Sequence, residues 1–216
     1  MAQSYRPRPV DARPVGAADL PAAVETLAQA FYSDPVWGWA FPDPERRIEQ
    51  HSAVWRMVAE SALGYGSAWL VDGGAAVALW IPPGEPELSA ADERRLESLV
   101  REMLGEDAAR VLETFELFDA AHPDQEPHYY LSLLATNPDH SGQGLGMGLL
   151  ADGLARIDTG GHPAFLESSN PANTPRYERL GFVVCGEFEL PEDGPNVTQM
   201  WRKPAGAGGE SARSAH

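Results

Sequence analysis

Gly142, Gly144, Gly146 and Gly148, at alternate positions, form the sharpest chemical signal in this chain. Without Cβ atoms, such a turn can bring several backbone N–H groups together beside a ligand. A helix predicted to follow adds unpaired N–H groups and a positive dipole end. Together these suit an anion, best a phosphate or pyrophosphate. The dinucleotide fingerprint Gly-x-Gly-x-x-Gly fails from Gly142 and from Gly144, because Met147 and Leu149 fall at its last position. A second signal is Glu167, a carboxylate that ends the apolar run Ala164–Leu166. Loss of hydration there raises a carboxylate's pKa and suits it to general-base work; a structural hydrogen-bond acceptor is the other reading. Glu126 and His128 are alternates for the base, since histidine as a type titrates near neutrality. Other chemistries are excluded by counting. A single cysteine, Cys185, allows no intrachain disulfide and no cysteine-based zinc site. There is one lysine, Lys203, with no Gly-Lys pair for a P-loop; neither His-Glu-x-x-His nor Gly-x-Ser-x-Gly occurs.

Local patterns predict the elements that hold these groups. Pro9–Val15 reads as a first strand, and Asp19 as the cap of a helix bearing Leu20, Val24, Leu27, Ala28 and Phe31 on one face. Residues 34–44 carry three prolines and read as an irregular loop. Its Trp37, Trp39 and Phe41 either pin that loop to the core or wall an apolar ligand pocket. A helix over about Glu45–Ala62 follows, then a hairpin, 66–81, turning at Asp72-Gly73-Gly74. Leu88–His122 reads as two acidic helices broken near Gly105, their charges a solvated face. Beyond them come a strand, Tyr129–Thr136, the glycine turn, and a helix to about Thr159. A strand at Ala164–Ser168, a short helix at Asn173–Leu180, and closing strands Phe182–Leu190 and Val197–Lys203 complete the chain. Alternating strands and helices with two hairpins predict an α/β (α+β) protein with a mixed sheet. The expected organisation is a flexible leader at 1–7, one domain over 8–203 and a disordered tail at 204–216.

Sixteen basic against thirty-two acidic residues give a net charge of −16. That argues against sequence-independent nucleic-acid binding and against an anionic membrane surface. The N-terminus lacks the apolar stretch of a signal peptide, and no apolar run is long enough to span a bilayer. A cytoplasmic protein, monomer or homodimer, is the expectation. An acidic surface also favours a cationic partner.

Leu134-Ala-Thr-Asn-Pro-Asp-His-Ser-Gly-Gln-Gly-Leu-Gly, residues 134–146, resembles the pyrophosphate-binding motif of the GNAT superfamily of N-acetyltransferases. Residues 170–182, Asn170 through Tyr177-Glu-Arg-Leu-Gly-Phe182, resemble its second signature. Within the superfamily the chain is most similar to the puromycin N-acetyltransferase group. It shares Glu126-Pro127, Ala164-Phe-Leu-Glu167 and the run Ala76–Trp80 with that group. Ser141 stands where most relatives carry Gln or Arg, and Arg176 where they usually carry an aromatic.

The resemblance implies a GNAT fold, with a central sheet of six to seven strands splayed between the fourth and fifth. It implies acetyl-CoA as cosubstrate, without a metal. Ser141, Gly142, Gln143, Gly144, Leu145 and Gly146 would hold the pyrophosphate, and the backbone of Leu134, Ala135 and Thr136 would pair with the pantetheine. Asn170 and Asn173 would contact the pantetheine, with helix capping as the alternative for each. Tyr177 would be the acid that protonates the leaving thiolate, against a plain core tyrosine; Glu167 would be the base. Acceptor contacts are expected from Asp34, Trp37, Trp39, Phe41 and Tyr129. The activity implied is acetyl transfer to a primary amine of a small molecule, such as an aminonucleoside antibiotic. A protein or peptide acetyltransferase and a silent acyl-CoA-binding domain are the alternatives.

Overall fold

The computed structural model describes residues 5–124 and 126–205. Part of the expected leader and most of the expected tail lie outside the described residues. From the predicted strand Pro9–Val15 only β1 (Arg13–Pro14) forms. Its proline leaves it a donor short, which confines it to the sheet edge. The expected apolar face builds α1 (Leu20–Phe31), but Asp19 is not its side-chain cap. That carboxylate grips the Arg13 guanidinium through both oxygens at 2.7 Å and accepts from the Gly16 amide.

Residues 34–44 correct the sequence reading, because α2 (Pro35–Ala40) forms inside them. Pro35 occupies the first turn, where a missing N–H costs nothing. Asp34 caps the helix, its Oδ1 accepting from the Val36 and Trp37 amides at 3.0 and 3.2 Å. Pro42 and Pro44 fall beyond the helix end. The rest follows the predicted order closely: α3 (Arg47–Gly64), then the hairpin of β2 (Ala68–Val71) and β3 (Ala76–Ile81). α4 (Ala90–Leu104) and α5 (Ala108–Ala121) come next, followed by β4 (Tyr129–Thr136) and α6 (Leu145–Thr159). β5 (Ala164–Ser168), α7 (Thr174–Glu178), β6 (Val183–Glu189) and β7 (Asn196–Arg202) close the chain.

The seven strands form one sheet in the order β1-β2-β3-β4-β5-β7-β6, antiparallel except for the parallel pair β4–β5. All six residues of β3 are buried, as a strand covered on both faces requires. Val77, Leu79 and Ile81 enter the core built with α1 to α5, while Ala76, Ala78 and Trp80 enter the core under α6. Gly153 on α6 lies against the Trp80 indole, where a Cβ would come within 2.9 Å of the ring nitrogen.

β4 breaks the alternation. Its register on β3 runs Leu133 opposite Leu79, then Leu131 opposite Trp80, leaving Ser132 as an extra residue. Such a bulge shifts the side-chain alternation along the strand. Leu133 and Ala135 therefore pack with the α1–α5 core, whereas Leu131 packs beneath α6. Tyr130 consequently joins the α1–α5 side and Tyr129 the α6 side. Pairing of β4 with β5 covers only Tyr129–Leu131 against Ala164–Leu166. Beyond Leu131 the two strands separate, so the β4 edge from Ser132 to Thr136 faces an open gap.

Candidate active site

The gap and the glycine turn meet at the end of β4. Gly144 precedes the first turn of α6 in the left-handed conformation, at φ +78°. A side chain there would be strained but not blocked, since a Cβ would meet only the Arg8 side chain at 3.6 Å. Gly146 is needed for another reason: a Cβ would lie 2.5 Å from Thr136 Oγ1, so its absence lets α6 close against β4. The amides of Gly142, Gly144, Leu145 and Gly146 make no hydrogen bond to the described residues. They begin a helix of 15 residues, whose dipole adds positive potential. Arg8 lies across the turn, its guanidinium donating to the Gln143 carbonyl at 3.1 Å. This cradle fits a pyrophosphate, and the open β4 edge leading from it fits an extended amide-bearing chain.

Below the gap is a cavity lined by Asp34, Trp37, Glu87, Phe115, Phe118, Tyr130, Ser132, Glu167, Ser169, Asn173 and Tyr177. Glu167 projects from β5 into it. The Tyr130 hydroxyl donates to Glu167 Oε2 at 3.0 Å, while Oε1 is buried without a partner. Burial pushes the Glu167 carboxyl up to about 8, against which the Tyr130 bond works downward. Glu87 and Asp119 add to the rise by like-charge repulsion. Tyr177, on the opposite side, is raised to about 12, first by burial and then by the nearby Asp34. It keeps its proton throughout the physiological range. A carboxyl that titrates near neutrality thus faces a phenol that does not, across a partly dehydrated space. This arrangement can take a proton on one side and offer one on the other.

Residues 111–203 match the family model described as an acetyltransferase (GNAT) domain. Over that stretch the chain is similar to a GNAT acetyltransferase domain. Solved structures align over nearly its whole length. The "histone acetyltransferase HPA2 and related acetyltransferase" of Corynebacterium glutamicum is 28% identical with a TM-score of 0.68, covering 92% of this chain and 98% of its own. The Drosophila melanogaster polyamine N-acetyltransferase, which forms N-acetylagmatine, is 16% identical with a TM-score of 0.61. That match covers 90% of this chain and 99% of the other. An Aedes aegypti arylalkylamine N-acetyltransferase is 14% identical with a TM-score of 0.60, over 90% and 98%. The last two show the shared fold.

In the fold, several expected site residues converge and others do not. Glu167, Tyr177, Asn173, Leu134, Asp34 and Trp37 line one cavity. Asp34 spends its oxygens on capping α2 and on the Ser169 hydroxyl at 2.7 Å, so it joins α2 to the segment after β5. Asn170 accepts from the Ala172 amide at 3.0 Å and acts as a cap. Asn173 accepts from the Arg176 guanidinium at 3.0 Å. Trp37 stacks with Phe118 and meets Trp55 edge-on at 4.7 Å, so it belongs to core and cavity together. Phe41 and Trp39 do not line the cavity. Phe41 is fully buried against His51, and Trp39 lies under the Arg110 guanidinium at 4.9 Å. Tyr129 packs against His162 and the α6 core, displaced from the cavity by the bulge. Tyr130, Ser132, Ser169 and Glu87 are polar cavity residues that sequence reasoning missed, with Phe115 and Phe118 beside them. The alternates Glu126 and His128 lie away from Glu167; His128 Nδ1 sits 2.9 Å from the Glu126 carbonyl and Nε2 sits 3.1 Å from His122 Nε2. Among the described residues no group of His, Cys, Asp and Glu is arranged to hold a metal ion, and no helix is long and apolar enough to cross a membrane.

Proposed function

We propose that this protein transfers an acetyl group from acetyl-CoA to a primary amine of a small molecule. The observation that carries the reading is the Glu167–Tyr177 cavity, which is lined by the part of β4 where its pairing with β5 ends. Bound acetyl-CoA supplies an acetyl thioester whose C–S bond breaks as the C–N bond of the amide forms. The amides of Gly142, Gly144 and Gly146 hold its pyrophosphate. The edge of Leu134–Thr136 orients the pantetheine and places backbone dipoles beside the thioester carbonyl, where charge develops. Ionised Glu167 takes the proton of the arriving ammonium, directly or through one water. Tyr177 donates its proton to the leaving sulfur, and the tyrosinate regains one from the acylated nitrogen, so that the thiol and the amide both leave neutral. Tyr130 holds the carboxylate through its hydroxyl. The small amines named for the neighbouring enzymes agree with this acceptor class.

The test joins two measurements. Acetyl-CoA at a hundred times its Kd raises stability by about 2.7 kcal/mol, read as a thermal shift. A thiol-release assay then screens amines: alkylamines, arylalkylamines, polyamines and aminonucleosides such as puromycin. No thermal shift with millimolar acetyl-CoA refutes the donor site. A shift without thiol release from any amine leaves an acyl-CoA-binding domain and refutes the enzyme.

A further inference from the structure

We infer that the acceptor is a linear di- or polyamine whose second cationic centre lies in an acidic groove beside the catalytic cavity. This rests on the acetyltransferase reading above and narrows its substrate. A groove of about 990 Å³ runs between α4, α5 and the segment after β3. It shares Glu87, Phe115, Phe118 and Tyr130 with the cavity of Glu167, so the two spaces adjoin across these four side chains.

The groove has the two features a polyamine needs. Leu88, Leu96, Leu112, Phe115 and Phe118 give it an apolar floor that methylene groups can cover. Its walls carry Glu87, Glu93, Glu113, Glu116, Asp119 and Glu126, none of which is paired with a cation among the described residues. Arg101, the arginine of the lining, is already held by Glu97 at 2.8 Å. Single exposed carboxylates attract weakly, but several around one concave surface sum to a field that concentrates cations. An independent observation lies in the adjoining cavity: Glu167 Oε1 is buried and has no hydrogen-bond partner among the described residues. A monoamine would satisfy that oxygen and leave the groove's charge unanswered. A polyamine answers both, one nitrogen reacting at Glu167 while the next sits between Glu87 and Asp119.

The experiment compares 1,4-diaminobutane and spermidine with n-butylamine, which has the reach but one charge. Initial rates of thiol release give kcat/KM for each, and calorimetry gives spermidine binding to the enzyme with CoA present. Expected is a preference for the polyamines of about tenfold or more, falling in high salt as screening shortens the field. The double substitution Glu113→Gln, Glu116→Gln lowers the spermidine to n-butylamine ratio by about fivefold and weakens spermidine binding by a similar factor. Equal use of monoamine and polyamine overturns the inference while leaving the acetyltransferase standing. So does a ratio unmoved by the double substitution, or better use of a lysine-rich peptide than of spermidine. Absence of thiol release with every amine overturns both readings.

Discussion

Replacing Glu167 by glutamine keeps the shape of the side chain and its bond from Tyr130, and removes the ionisation. The native carboxyl titrates at about 8, against an ordinary 4.5, chiefly because it is buried. A raised acid pKa means that the folded state holds the proton more tightly than the unfolded state. Stability is therefore complete below about pH 4.5 and is lost as pH rises toward 8. Each pH unit in that window costs about 1.4 kcal/mol, so between pH 5 and 8 the ceiling is about 4 kcal/mol. Urea melts of wild type and Glu167→Gln at pH 5, 6, 7 and 8 read this directly. The variant gains on wild type steadily as pH rises. His51, common to both proteins, cancels in the difference. The same titration appears in catalysis with the opposite sense, because the base works only when ionised. Wild-type kcat/KM climbs with pH and levels above about 8, while the variant loses that limb and falls about 10²- to 10⁴-fold. Parallel stability curves, or a variant keeping half its activity with the limb intact, refute the argument that this carboxyl is a buried base.

Tyr177→Phe keeps the ring and lowers kcat by about a hundredfold or more with little change in acetyl-CoA affinity; retention of over half the kcat makes the hydroxyl structural. Gly144→Asp costs about 1–2 kcal/mol for the left-handed backbone and abolishes the acetyl-CoA thermal shift while the far-ultraviolet circular dichroism stays native. Trp37→Ala loses about 3–5 kcal/mol of stability and raises the KM of the amine more than that of acetyl-CoA, whereas Phe41→Ala destabilises without separating the two constants. The His51 imidazole, lowered to about 4 by burial, is neutral in the folded protein. Its stability contribution is lost as pH falls from about 6.5 toward 4, and His51→Leu flattens that acid limb in urea melts.

The second half of the fold was legible because its signals are local. Asn137-Pro138, the glycine turn, Gly160-Gly161 and Gly181 punctuate strands and helices that form where the residues predict. The segment at 34–44 was misread because counting prolines ignores their position: Pro35 sits where a helix tolerates it, after an aspartate that can cap. Glu167 and Tyr177 were found through motifs, and their meeting across one cavity is a property of the folded chain. Tyr129 was chosen over Tyr130 because nothing local announces the bulge at Ser132; the register of β3 on β4 decides it. Asp119 reads as a solvated charge and Glu87 carries no signal of its own, since no periodicity reveals that α4, α5 and the segment after β3 enclose a groove.

The short seam between β4 and β5 has a mechanical consequence. Three residue pairs join a ribbon made of β1 to β4 to a second made of β5, β7 and β6. Each ribbon is antiparallel inside, and apart from the two-residue edge strand β1 its strands share more pairings than the seam does. Such a seam opens in excursions well short of global unfolding. Amide hydrogens of Tyr129 to Leu131 and of their β5 partners will exchange through this breathing, faster than those at the heart of either ribbon. A chain laid along the open β4 edge adds rungs where the protein supplies none. Slower exchange at the seam will then report its arrival, even at residues it never touches.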